Sequence, residues 1–289
     1  MSSKKDFRNS YDIGCRAKNL FLYDVAIKNL EQAAALGNVD AMIELGDIFH
    51  SAGSSDDLHK PEEIIQSDNL NALKFYRQAA EKNYAPAFNR LALMSLNECN
   101  VEETYKYFQL AVEAYHEKLN SSFNAFTLKE LAKACEDLHF IEPDKRKSKK
   151  LLQKFLEYYR LAFGMLEHLA DEGNIEAFFE LGEVYRVGNG VAKSHSTAIK
   201  MFENAAKLGT KNIKIRAYIN IAFIYESDKN YNQFIDYIKK AATLGDFFAM
   251  RQLWEYYLTG ENFTAAENWL KKSEEIQAEF LTALKREEF

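Results

Sequence analysis

Hydrophobic positions along the chain recur at helical spacing, and small residues punctuate them at fixed distances. Ala177, Leu181, Val184 and Tyr185 share one face of a 3.6-residue period. The same small-then-apolar pattern returns at Ala41 with Leu45 and Gly46, Ala87 with Leu91 and Ala92, Ala217 with Ile221 and Ala222, and Ala249 with Leu253 and Trp254. A second set of landmarks ends helices at Gly37, Gly173, Gly209 and Gly245, and the last three are spaced 36 residues apart twice over. A fixed period of this size marks a repeat architecture. The pattern predicts an all-α chain of about seven antiparallel helix pairs. The small residue of each leading helix sits where two backbones approach closely. Gly inside a helix costs about 1 kcal/mol, which tight packing must offset.

Only 3 prolines and 12 glycines occur, too few to punctuate the short strands of a sandwich or barrel. The first unit reads as a short leading helix around Tyr11 to Leu20, then Tyr23 to Leu36. In the second, Ala41 to Ala87 spans 46 residues rather than 36, with the excess in a loop insertion from Gly53 to Gln66 that contains Pro61. The third turns at Asn97 to Asn100 and continues from Val101 to Leu119. The fourth, near 121–172, is irregular: a leading helix near Phe123 to Leu138, the break Glu142-Pro143-Asp144, then helical sequence to Ala170, read equally as one long helix or two with a kink. Regular units follow, and a charged amphipathic stretch near 265–288 suits a capping helix, with Trp254 and Trp269 expected to be buried near it. Residues 1–289 read as one repeat domain.

The clearest unit runs from Asn174 to Gly209. It carries Ala177, Leu181-Gly182, Tyr185 and Gly188-x-Gly190-Val191, then Ala198, Met201-Phe202, Ala205-Ala206 and Gly209. This closely resembles the Sel1-like repeat, a relative of the tetratricopeptide repeat, in which a Gly-x-Gly-Val turn joins two antiparallel helices. Ser194 stands where the family usually has Asp, and Ser still serves as an N-cap. The other units keep the Ala and Leu-Gly-like positions without the glycine turn. The resemblance implies a right-handed α-α superhelix, or solenoid, and a scaffold that binds protein or peptide partners. Bacterial members serve in signalling, secretion and host interaction, and some are immunity partners of toxins.

Net charge is -6 with a pI near 5.7, which argues against a broad footprint for nucleic acid or anionic lipid and leaves local patches open. Cys15, Cys99 and Cys135 show no metal-ligand or redox spacing, so a reducing compartment is the simpler assumption. Met1 to Ser10 leads into no apolar h-region, and no run of about 18 apolar residues is present. Cytoplasmic localisation is therefore expected.

Helix pairs that stack with a small rotation line the inner, concave face with their leading helices. With the Leu of each Leu-Gly pair as the seventh position, positions two, five, nine and twelve face that groove. They give Asp40, Ile43, Asp47 and His50, then Asn89, then Lys129, Lys133 and Glu136. The later units give Glu176, Phe179, Glu183 and Arg186, then Arg216, Ile219, Phe223 and Glu226, then Arg251 and Glu255. The candidate partner-binding set is Asp47, His50, Asn89, Lys129, Glu176, Phe179, Glu183, Arg186, Arg216, Phe223, Arg251 and Glu255. Mixed charges among aromatics suit a peptide or helix with apolar anchors. Each single position reads more readily as a solvated helix residue. Phe179 and Phe223 stand out because an exposed aromatic calls for a cover. The groove lacks the Lys and Asn pattern that holds a C-terminal carboxylate.

Lys145-Arg146-Lys147-Ser148-Lys149-Lys150 is the one dense charge run. It offers an alternative function, phosphate or nucleic-acid binding, although no aromatics interleave with it for base stacking and its plain reading is a solvated helix start. The six histidines show no metal spacing, and no nucleophile elbow or phosphate-cradling loop appears. The sequence predicts a protein that is not an enzyme and needs no cofactor or metal.

Overall fold

The structure is a computed structural model that describes residues 2–51, 68–188 and 190–287. The insertion read at Gly53 to Gln66 lies outside the described residues. Among the described residues every regular element is an α-helix: α1 (Ser2–Asn19), α2 (Tyr23–Ala35), α3 (Val39–Ser51), α4 (Asp68–Ala80), α5 (Ala85–Asn97), α6 (Val101–Ser121), α7 (Ala125–Ile141), α8 (Lys145–Asp171), α9 (Ile175–Val187), α10 (His195–Leu208), α11 (Lys211–Ser227), α12 (Tyr231–Thr243), α13 (Phe247–Thr259) and α14 (Phe263–Glu287). Odd-numbered helices lead and even-numbered ones follow. α1 is longer than expected, 18 residues rather than a short stub. The long segment after Pro143 is a single 27-residue helix, which settles the choice left open by the sequence.

Small residues on the leading helices sit where predicted, at the crossings. A Cβ added to Gly46 of α3 would lie 2.3 Å from the Tyr76 ring of α4, and one on Gly182 of α9 would lie 2.6 Å from the Phe202 ring of α10. Gly14 of α1 meets Leu30 of α2 in the same way, at 2.7 Å. No Cβ fits at such distances, so glycine is what lets a large side chain of the second helix lie flat on the first. Ala92 and Ala222 take the equivalent places on α5 and α11 and are fully buried.

The turns without glycine solve the same geometric problem at some cost. Phe21, Cys99, Lys229 and Glu261 all adopt left-handed backbone, with φ between 57° and 59°. In each case the next residue donates its N–H to the carbonyl five residues back: Leu22 to Ala17, Asn100 to Ser95, Asn230 to Tyr225 and Asn262 to Tyr257. This is the hydrogen-bond pattern of a Schellman helix end, made here by residues that are about 1–2 kcal/mol less comfortable there than glycine. Asn100, Asn230 and Asn262 then cap the following helices by accepting from Glu103 N, Gln233 N and Ala265 N. In the Gly-x-Gly-Val turn, Ser194 does the same for Thr197 N at 3.2 Å, as its place before α10 predicts. Gly209 departs from its periodic partners. Its backbone is extended, and glycine is needed instead because a Cβ would strike Ile213 at 2.4 Å.

The chain divides into two compact units, Met1–Ala162 and Phe163–Phe289, with the boundary inside α8. The second unit is held by a continuous core that includes Phe202, Ile221, Ile238 and Leu253. Trp254 and Trp269 are half-buried rather than buried. Each ring carries a cation on one face, Arg251 at 4.2 Å and Lys272 at 4.3 Å, in place of full apolar cover. Cys135 is buried and its thiol is pushed up to about 11, whereas Cys99 is exposed at its turn.

Candidate partner-binding face

In the second unit the leading helices α9, α11 and α13 present a connected strip. The Arg216 guanidinium of α11 lies 4.4 Å from the centre of the Phe179 ring of α9 and 3.9 Å from the Glu176 carboxylate. Two turns further along α11, Phe223 meets Phe248 of α13 edge-on at 6.3 Å. Arg251 continues the strip over Trp254, and Glu255 is exposed beside it. Burial depresses the Arg251 guanidinium below its ordinary value, against the pull of Glu274 and Glu255. Such a surface offers one apolar anchor point with cations on either side.

The register predicts Phe179 as an exposed groove aromatic; instead it is 5% exposed and packs edge-on against Phe202 at 5.2 Å. Its ring fills the crevice among α9, α10 and α11, and the planar guanidinium of Arg216 supplies the cover that an exposed ring would lack. Phe223 is 41% exposed and does face solvent. Glu183 and Arg186 pair with each other, with Arg186 Nη2 donating at 2.6 Å, so both charges are partly satisfied within α9.

In the first unit the corresponding positions are largely occupied with structure. Asp47 of α3 accepts from Tyr76 Oη at 2.6 Å and, in a fork, from Arg90 Nε at 2.8 Å and Nη2 at 3.0 Å. This rivet joins α3, α4 and α5. Burial and the Asp47 hydrogen bond together raise the Tyr76 hydroxyl well above its ordinary value. Tyr84 reaches back to Asp40 in the same sense. Lys129 pairs with Glu130 at 3.2 Å, and Lys133 bridges Glu136 and Asp137. Asn89 is half-buried and His50 is exposed.

Two of the residues that make the strip and the rivet went unseen in the sequence. Phe248 is position two counted from Leu253, so the register itself could have supplied it. Arg90 sits at position six, and only the stacked structure brings it to Asp47, 43 residues away. Among the described residues no group of three His, Cys, Asp or Glu side chains is placed to hold a metal, and no helix is long and apolar enough to cross a membrane.

The Sel1 repeat family profile matches residues 22–38, 39–84, 129–157 and 175–210. The last segment is α9 and α10 with their glycine turn, and 39–84 covers α3 and α4. No curated protein matches the chain in sequence. Among solved structures it is similar to a Sel1 repeat protein from Oxalobacter formigenes, at 19% identity over 92% of this chain and 99% of the other, with a TM-score of 0.35. It is also similar to c5321, a protective antigen of uropathogenic Escherichia coli, at 18% identity over 92% and 68% with a TM-score of 0.32. Yeast Tom70 shares 14% identity over 96% and 77% with a TM-score of 0.31. The period, the glycine-aromatic crossings and the four matched segments agree: the chain carries Sel1 repeats in those segments, within an array that is all-helical among the described residues.

Proposed function

We propose that the protein is an interaction scaffold that holds a protein or peptide segment across the leading helices α9, α11 and α13. The observation that carries this reading is Phe223, a 41% exposed aromatic braced by Phe248 on a face otherwise lined with charge. A half-covered ring of this kind recovers hydration free energy when a partner's apolar side chain closes over it. Arg216 and Arg251 flank it from one sign, Glu176 and Glu255 from the other, so a segment with an apolar anchor between charges of both signs fits. The mechanism is complementarity of shape and charge, with no bond made or broken. Asp47, Glu183 and Arg186 are already paired within the chain and are weaker candidates for a direct role than the sequence suggested.

The test uses the partner that co-purifies with the wild-type protein from native lysate. A Phe223→Ala, Glu255→Lys variant is expected to bind it at least about tenfold more weakly, a loss of about 1.4 kcal/mol, while its thermal midpoint stays near that of the wild type. A folded variant that binds the partner at full strength would place the interface elsewhere.

A further inference from the structure

Between Lys145 and Arg160 the chain has seven cations, Lys145, Arg146, Lys147, Lys149, Lys150, Lys154 and Arg160, against one acid, Glu157. That stretch carries a formal +6 in a chain whose whole charge is -6. The first five fall in the opening two turns of α8, all are exposed, and none is in an ion pair among the described residues.

The two acids closest in sequence are both hydrogen-bonded, and Asp144 lies at the tip itself, where its charge offsets one of the five cations. Glu142 accepts from Tyr105 Oη at 2.6 Å and from Asp144 N at 2.9 Å. Asp144 caps α8 by accepting from Lys147 N at 3.0 Å and Arg146 N at 2.7 Å, bonds that hold its carboxyl below the usual range. The corner is tied to the rest of the first unit. His139 near the end of α7 meets the Ser148 hydroxyl at 2.8 Å, and Leu151 packs into the cluster of Leu138, Phe108 and Ala92. Beside His139, Phe140 is 75% exposed.

The directions of these side chains say what shape of ligand they suit. Consecutive helix positions are about 100° apart, so Lys145, Arg146, Lys147, Lys149 and Lys150 spread over an arc of about 200° around the axis, on the side away from Ser148 and Leu151, which pack toward α7. Helical side chains also lean toward their own N-terminus, which carries all five toward the tip of α8. A rod-like ligand lying along one flank would meet only part of that arc, whereas a surface laid across the tip is within reach of all five, with the exposed Phe140 beside it at the end of α7. Phe140 offers an apolar ring to insert, while lysines outnumber arginine four to one among the five, a composition of point charges rather than of bidentate forks for single phosphates.

We propose that this corner, where α7 gives way to α8, docks on a flat anionic bilayer surface, with Phe140 entering the headgroup region and the five cations spread over anionic lipids. The role is peripheral and reversible, and it is independent of the strip around Phe223. Co-sedimentation of the full chain with vesicles tests it. Vesicles containing about 30% phosphatidylserine in phosphatidylcholine should pellet the protein, whereas phosphatidylcholine alone should not, and about 1 M salt should release it. Neutralising all five cations to Gln should lower partitioning about a hundredfold or more, since each contributes up to about fivefold near a charged surface. Phe140→Ser should weaken it several-fold. A control with Lys28, Lys106, Lys118, Lys207 and Lys229 changed to Gln makes the same change in net charge and should bind as the wild type does. Failure to bind the anionic vesicles overturns the proposal, as does equal loss in the control variant. Tight binding of a single-stranded RNA with no vesicle binding overturns it in favour of a nucleic-acid ligand.

Discussion

Replacing Phe202 by Ala is expected to lower the unfolding free energy by about 3–5 kcal/mol, the largest loss from any single truncation in the second unit. The ring is fully buried, lies flat on the backbone of α9 at Gly182, and meets Phe179 edge-on at 5.2 Å. Truncation removes apolar burial and leaves a void beside Gly182 and Phe179. Gly182 has no side chain to relax into that space, and Phe179 is pinned from outside by Arg216 at 4.4 Å. Collapse is therefore poor, which puts the cost toward the top of the range. Because repeat proteins are stabilised chiefly by contacts between neighbours, the damage should spread to α11 and α12 as well. Urea denaturation followed by circular dichroism measures it; a loss under about 1 kcal/mol would mean that the pair is not locked at this crossing.

The second large effect concerns one substitution made at two glycines, with opposite signs. Gly46→Ala should destabilise by about 1–2 kcal/mol even though alanine is the better helix former by about 1 kcal/mol. The new methyl would lie 2.3 Å from the Tyr76 ring, which is fully buried and tethered at its hydroxyl by Asp47, so it has nowhere to move. Gly164→Ala in α8 should instead stabilise by about 0.5–1 kcal/mol, because nothing lies within 4 Å of its added Cβ and only the propensity gain remains. Thermal melts of the two variants beside the wild type check both signs. Stabilisation by both would show that close crossing plays no part at Gly46.

Much of this fold was legible because a repeat states its rule several times. The 36-residue spacing of Gly173, Gly209 and Gly245, and the Ala and Leu-Gly landmarks, gave the pairing and the crossings. Helix ends without glycine were harder to foresee, because left-handed Phe21, Cys99, Lys229 and Glu261 are tolerated only where stacked neighbours fix the turn. Register also has limits at the surface. It put Phe179 and Phe223 in equivalent company, yet one is buried and the other exposed. What separates them is that Phe179, at position five, packs on Phe202 of α10 and is closed over by Arg216 of α11, whereas Phe223, at position nine, meets only the edge of Phe248. The rivet of Asp47 with Arg90 and Tyr76 was hidden for the same reason. Its members come from three different helices.

The scaffold reading rests on the leading-helix face being the one that meets a partner. Photo-crosslinking in living cells tests this directly, with a benzophenone amino acid replacing Phe223 on α11 in one variant and the exposed Asp236 on α12 in another. The account predicts a discrete, reproducible protein adduct from position 223 and none from position 236. Adducts confined to position 236 would contradict it.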